Sequence, residues 1–180
     1  MNNPESQMVA VTVRAGSKAE MALPDGTFVH LNAATNLEYD VNNSKQRLVK
    51  LSGEAFFDVA KNPDCPFKVI INDLQIEVVG TSFNVKTYKK DIVETSLLSG
   101  RIRISGGSLP HEYTLSPGQK ATYSAMDRTL RISKADAHVE AGWRDNYLIF
   151  ESTPLIDVIA QIERWYGVEI RLHHKQIAQD

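Results

Sequence analysis

Cysteine is almost absent from this sequence. The one thiol, Cys65, sits between Asp64 and Pro66 in a turn-like stretch. No intrachain disulfide can form, and no metal site can be built from cysteines. Long apolar runs are missing too: no stretch of about 18 apolar residues occurs, so nothing reads as a membrane-spanning helix. Met1 to Gln7 has neither a basic n-region nor an apolar h-region and does not read as a signal peptide. The expectation is a cytosolic chain, or one whose targeting or anchoring segment lies upstream. Charge of one sign is not in excess: 20 Lys and Arg face 22 Asp and Glu, a formal net charge of −2. That balance does not suggest a nucleic-acid surface. Low-complexity tracts and strict internal repeats are lacking, so a regular solenoid is not demanded.

Signatures of catalysis are absent together. Glu54 and Asp58 read as strand-surface acids. The five histidines, His30, His111, His138, His173 and His174, form no HxH or HExxH spacing. His173 and His174 would point to opposite faces of a continuing strand. Gly80-Thr81-Ser82 lacks the lysine of a phosphate loop. No serine occupies a G-x-S-x-G elbow. The expectation is a protein that is not an enzyme and takes no metal or cofactor.

What the chain does have is strand grammar. With 42% hydrophobic and 23% charged residues in 180, it can bury an ordinary core. Lys18 to Leu23 alternates, Pro24-Asp25-Gly26 makes a turn, and Thr27 to Leu31 resumes. The same pattern recurs at Arg47 to Leu51, Glu54 to Val59, Phe67 to Ile71, Leu74 to Val78, Phe83 to Tyr88, Arg101 to Ile104, Lys120 to Tyr123 and Leu130 to Ser133. Roughly ten short strands, with a turn about every 8 to 12 residues, predict an all-β sandwich, barrel or solenoid-like stack.

Near residue 140 the period changes. Tyr147-Leu148-Ile149-Phe150 reads as a strand. Thr153 caps a helix that begins at Pro154. Leu155, Val158, Ile159, Ile162 and Tyr166 share one helical face, and Gly167 stops the helix. Val168 to Leu172 alternates as a second strand. The predicted layout is mainly β: a disordered start at 1–10, a large all-β lobe at 11–138, a small β-α-β lobe at 139–174, and a loose tail at 175–180.

Several strings in this order resemble the FecR family. They are Leu23-Pro24-Asp25-Gly26-Thr27, Leu51 to Val59 around Gly53-Glu54-Ala55-Phe56-Phe57-Asp58-Val59, Pro66-Phe67-Lys68-Val69, Val79 to Val85 around Gly80-Thr81-Ser82-Phe83-Asn84-Val85, Leu97 to Gly100, and Leu115 to Gln119. Trp143 and Leu148-Ile149-Phe150 close the series. Gly26, Gly53, Gly80 and Gly118 read as turn and close-approach positions. Phe56, Phe67 and Phe83 read as buried area, roughly 2–3 kcal/mol each. With Glu54 and Thr81 these residues form a structural motif, not a binding site.

The resemblance implies a periplasmic region of an anti-sigma factor anchored in the inner membrane, this chain being its soluble part. A TonB-dependent outer-membrane transporter presents an N-terminal signalling domain to that region. A cytoplasmic segment, absent here, then controls an extracytoplasmic-function sigma factor serving iron or glycan uptake. The lobe at 139–174 resembles half of a secretin/TonB short N-terminal domain, and a truncated lobe is expected. Val168, Ile170 and Leu172, with Trp165 beside them, are the expected partner-binding residues, through β-augmentation. The alternative is a β module that senses a glycan or ferric chelate directly, with Tyr113 and Tyr123 as an exposed pair.

Overall fold

The computed structural model of the chain describes residues 7–41 and 47–172. The polar loop at 42–46, His173, His174, the tail at 175–180 and the His138 side chain lie outside the described residues. The strands are β1 (Met8–Val13), β2 (Ala19–Ala22), β3 (Phe28–Leu31), β4 (Thr35–Asp40), β5 (Arg47–Ser52), β6 (Glu54–Asp58), β7 (Phe67–Ile71), β8 (Leu74–Val78), β9 (Ser82–Lys86), β10 (Ile92–Ser99), β11 (Ile102–Gly106), β12 (Tyr113–Leu115), β13 (Gln119–Ser124) and β14 (Thr129–Lys134). The helices α1 (Ala137–Ala141) and α2 (Leu155–Tyr166) follow, with a 3₁₀ turn at Gly142–Asp145 between them.

Two seven-stranded sheets result. The first runs β1-β4-β5-β7-β8-β11-β12, the second β14-β13-β10-β9-β6-β3-β2. Both sheets grow in chain order, because the chain passes back and forth between them. The sandwich and the stack are therefore one architecture. Within the sheets the pairings are antiparallel, except that β5 and β7 are parallel.

Alternation builds the core. Phe67, Val69 and Ile71 of β7, with Leu74, Ile76 and Val78 of β8, face inward from the first sheet. Val29, Leu31, Phe57, Phe83, Val85 and Leu97 face them from the second. Phe57 stacks on Phe83 at 5.2 Å between ring centroids and meets Phe67 across the sandwich at 5.8 Å. Phenylalanines at such separations contribute beyond their buried area.

Four strands escape the sequence reading: β1, β4, β10 and β12. β10 lacks a clean period because both of its faces are largely covered. The residues at 8–10, expected to be disordered, belong to β1 and pair with Glu38, Tyr39 and Asp40 of β4.

The expected β-α-β lobe keeps its helix but not its strands. Neither 147–150 nor 168–172 forms a ladder among the described residues. A strand requires a partner, and none of the described segments pairs with either. Pro154, not Thr153, caps α2, and no side chain completes the cap; the Thr153 hydroxyl donates instead to the Glu151 carbonyl at 3.3 Å. Gly167 does end the helix, in left-handed geometry.

Gly53 joins β5 to β6 with φ +113°. A Cβ there would lie 2.5 Å from Thr35 Oγ1 and 2.6 Å from Thr35 Cα. Gly53→Ala should therefore lower stability by about 2–3 kcal/mol. Urea unfolding of the two proteins checks this, and an unchanged midpoint would contradict it.

Candidate functional site

A strand that sends one side chain into the core sends the next one out. While Ala55 and Phe57 of β6 face inward, Glu54 and Phe56 emerge on the outer face of the second sheet. Asn84 and Lys86 of β9 emerge beside them, as do Glu94 of β10 and Lys120 of β13. An aromatic on the outer face of a sheet implies a cover, and Phe56 is 3% exposed.

The cover is the C-terminal segment. It leaves β14 at one end of the sheet and crosses the outer face toward β2 at the other. Glu140 of α1 meets Lys120 at 2.9 Å, and Lys120 also meets Glu94 at 3.0 Å. Ala141 and Trp143 then pack on Phe56, with Leu98 and Trp165 against the same cluster. The Arg144 guanidinium lies 3.6 Å over the Phe56 ring. Farther along, Asp157 pairs with Lys89 at 2.7 Å, and Arg164 sits 4.1 Å over the Tyr88 ring. The crossing ends where the turn between β1 and β2 receives the last turn of α2, through Gly16 N–H to the Arg164 carbonyl at 2.8 Å.

One hydrogen-bonded chain ties cover to sheet. The Trp143 indole N–H donates to Asn84 Oδ1 at 3.1 Å. Asn84 Nδ2 donates to Glu54 Oε1 at 2.9 Å, and Asn32 Nδ2 donates to Glu54 Oε2 at 2.8 Å. Asn32 Oδ1 accepts from Ala33 N–H at 2.8 Å. The two outer donors fix both amides, so each turns its NH₂ toward the carboxylate. Glu54 is thus a buried acid and not the expected strand-surface one; Asp58 is exposed. The physical reason is the cover, which no local pattern announces.

Burial raises the Glu54 pKa above the ordinary glutamate value, while Lys86 and the two amides pull it part of the way back. Burial also opposes the charge of Lys120, but Glu94 and Glu140 outweigh it and hold that ammonium above its usual value. Burial raises the Tyr88 hydroxyl as well.

Between α2 and the sheet lies a cleft of about 460 Å³, lined by Lys86, Lys89, Lys120, Glu94, Glu140 and Asp157 among others. Lys120–Glu140 and Lys89–Asp157 pair across the joint, and Lys86 and Lys120 pair with Glu94 within the sheet. The pair expected for direct ligand sensing does not form an exposed platform: Tyr123 is 3% exposed, its hydroxyl accepting Ser108 N–H, and Tyr113 stacks on His111 at 4.4 Å.

The expected partner residues divide. Val168 and Leu172 are exposed. Ile170 is half-buried and donates its N–H to Glu163 Oε1 at 2.8 Å. Trp165 is half-buried, packed on the Phe56 cluster with the Lys18 ammonium 3.4 Å over its ring. Trp165 therefore belongs to the joint. Exposed Ile156 and Tyr166 join Val168 and Leu172 as the apolar surface of the segment.

Of the structural-motif residues, Phe67 and Phe83 lie in the sandwich core and Phe56 in the joint. Buried Thr81 donates its hydroxyl to the Arg101 carbonyl at 3.1 Å. Gly26 and Gly118 occupy turns. Gly80 makes room, because a Cβ there would lie 2.9 Å from Lys61 Cα. The roles of Asn32, Asn84, Trp143 and Lys18 escape sequence reasoning. The available signal was the Phe56-Phe57 doublet, which places an aromatic on each face of one strand.

Residues 9–103 match the family model described as FecR protein, and residues 147–180 match that described as FecR, C-terminal. Two crystal structures of a "putative anti-sigma factor" from Parabacteroides distasonis ATCC 8503, at 2.50 and 1.65 Å, are similar over most of their length. Each is 32% identical; the TM-scores are 0.83 and 0.82, with 91% and 89% of this chain and 76% of each of those chains covered. Among curated proteins, none matches.

The raised Glu54 pKa carries a signed pH dependence. Between the ordinary glutamate value and the native one, the folded chain keeps a proton that the unfolded chain has released. Stability from this group is complete below that interval and is lost as pH rises through it. Glu54→Gln titrates no proton there, so its urea-unfolding free energy should lack this decline across the weakly acidic range. Identical slopes for both proteins would contradict the assignment.

Proposed function

The chain belongs to the FecR family, and from that premise we propose that it is the periplasmic receiving module of a transmembrane anti-sigma factor. In this reading the β sandwich is a stiff scaffold and the C-terminal segment is the receiving end. The signalling domain of a TonB-dependent transporter docks on that segment. The cytoplasmic part of the full-length protein then controls an extracytoplasmic-function sigma factor, and the genes served are those of iron or glycan uptake. No step requires chemistry on a small molecule, and the mutual pairing of the cleft charges favours a relay over a ligand sensor.

The observation that carries the reading is the orientation of α2. Asp157, Ala160, Gln161 and Arg164 line the cleft toward the sandwich. The apolar residues Ile156, Tyr166, Val168 and Leu172 are left exposed, at 55%, 64%, 49% and 39%. Large apolar residues exposed along one segment suit a protein partner. Docking there needs no free strand, which replaces the β-augmentation expected at Val168 to Leu172.

Calorimetric titration with the signalling domain of the cognate transporter tests the proposal. Ile156→Glu and Val168→Glu should each weaken binding by about tenfold or more, since a charge buried in an apolar contact is costly. Met126→Glu, in the turn between β13 and β14, should leave it unchanged. Full-strength binding by both C-terminal variants would eliminate this docking surface.

A further inference from the structure

We propose that the turn between β1 and β2 is a latch that couples the C-terminal segment to the first strand of the sandwich. The inference deepens the relay reading and rests on it for its biological use.

Three contacts make the latch. Gly16 N–H donates to the Arg164 carbonyl at 2.8 Å, at the last turn of α2. Lys18 Nζ donates to the Trp143 carbonyl at 2.6 Å and to Asn146 Oδ1 at 3.0 Å, reaching the 3₁₀ turn and its cap. The same ammonium lies 3.4 Å over the Trp165 ring. One short turn thus grips both pieces of the segment, more than a hundred residues away in the chain. The grip is close: a Cβ on Gly16 would sit 3.2 Å from the Tyr166 carbonyl oxygen, and one on Gly167 would sit 3.2 Å from that of Ala15.

The strands joined by this turn are both edge strands, one in each sheet. Among the described residues, β1 is one edge of the first sheet and pairs only with β4; β2 is one edge of the second and pairs only with β3. Edge strands open more readily than central ones. A contact that persists only while the segment is docked therefore adds to what holds β1 in place, beside its ladder with β4. Coupling of this kind is reciprocal: loosening the segment frees β1, and freeing β1 loosens the segment. A partner that draws on α2 is thereby felt at the first strand, on the far side of the sandwich edge. The Lys18 ammonium suits a releasable contact, since it donates to neutral acceptors, the Trp143 carbonyl and Asn146 Oδ1, and the buried Glu54 carboxylate acts on it only through space.

Amide hydrogen exchange on the full chain tests the latch without any partner. Lys18→Met keeps an unbranched apolar side chain at this position and removes the donors and the charge. Exchange should quicken by roughly tenfold both at the end of α2 and at the β1 amides paired with β4, with the central strands β8 and β11 unchanged. Asp157→Asn breaks the pairing with Lys89 and carries the test if Lys18→Met loses protection throughout. It should also quicken exchange in β1, which it does not touch. Faster exchange in α2 with β1 unmoved would overturn the proposal, as would no change in either. Because no transporter enters the experiment, its failure leaves the docking surface standing, and loss of transporter binding leaves the latch standing.

Discussion

The part of this molecule outside the sandwich core depends on one buried carboxylate. Glu54 emerges from β6 on a face that would be solvated if the C-terminal segment were elsewhere. Taking an unpaired carboxylate out of water costs several kcal/mol. Here the cost is offset in part by the Lys86 charge and by two amides whose polarity is fixed from outside, Asn32 by a backbone N–H and Asn84 by the Trp143 indole. The second of these donors arrives with the cover itself. The covered sheet and the seated segment are therefore one state, not two independent features.

That dependence explains why the joint is polar. Among the described residues its buried apolar cluster is small, Phe56, Ala141 and Trp143 with Leu98 and Trp165 against them, beside a far larger sandwich core. Around that cluster lie ion pairs, cations over rings and single hydrogen bonds. Partly exposed ion pairs contribute little each and weaken with salt. A joint of this composition specifies position strongly while holding it modestly, which suits a relay better than a permanent weld would. The segment turns Trp143 and Trp165 and several charged side chains toward the sheet, and Ile156, Tyr166, Val168 and Leu172 stay exposed for a partner.

The β grammar was largely legible. Turns at Pro24-Asp25-Gly26 and alternation at β7 and β8 place hairpins where the structure has them, and the ordered FecR-like strings name the family. β10 was not legible, because a strand covered on both faces loses its period. β1 was overlooked, although Val9, Val11 and Val13 alternate in it. Glu54 looked like a surface acid because its burial comes from residues 80 and more positions later, and no local pattern reports such a contact. Tyr147 to Phe150 and Val168 to Leu172 carry strand-like composition, but a ladder is a property of pairs. Their side chains alone could not say whether partners exist.

A double-mutant cycle between Asn84→Ala and Trp143→Phe, read by chemical denaturation, tests most directly whether the cover and the buried carboxylate share one network. The account predicts non-additivity of about 1–3 kcal/mol, because removing either group already releases the other from its role. Strict additivity, with each substitution costing the same in the presence and absence of the other, would show that the indole merely rests on the sheet and would contradict it.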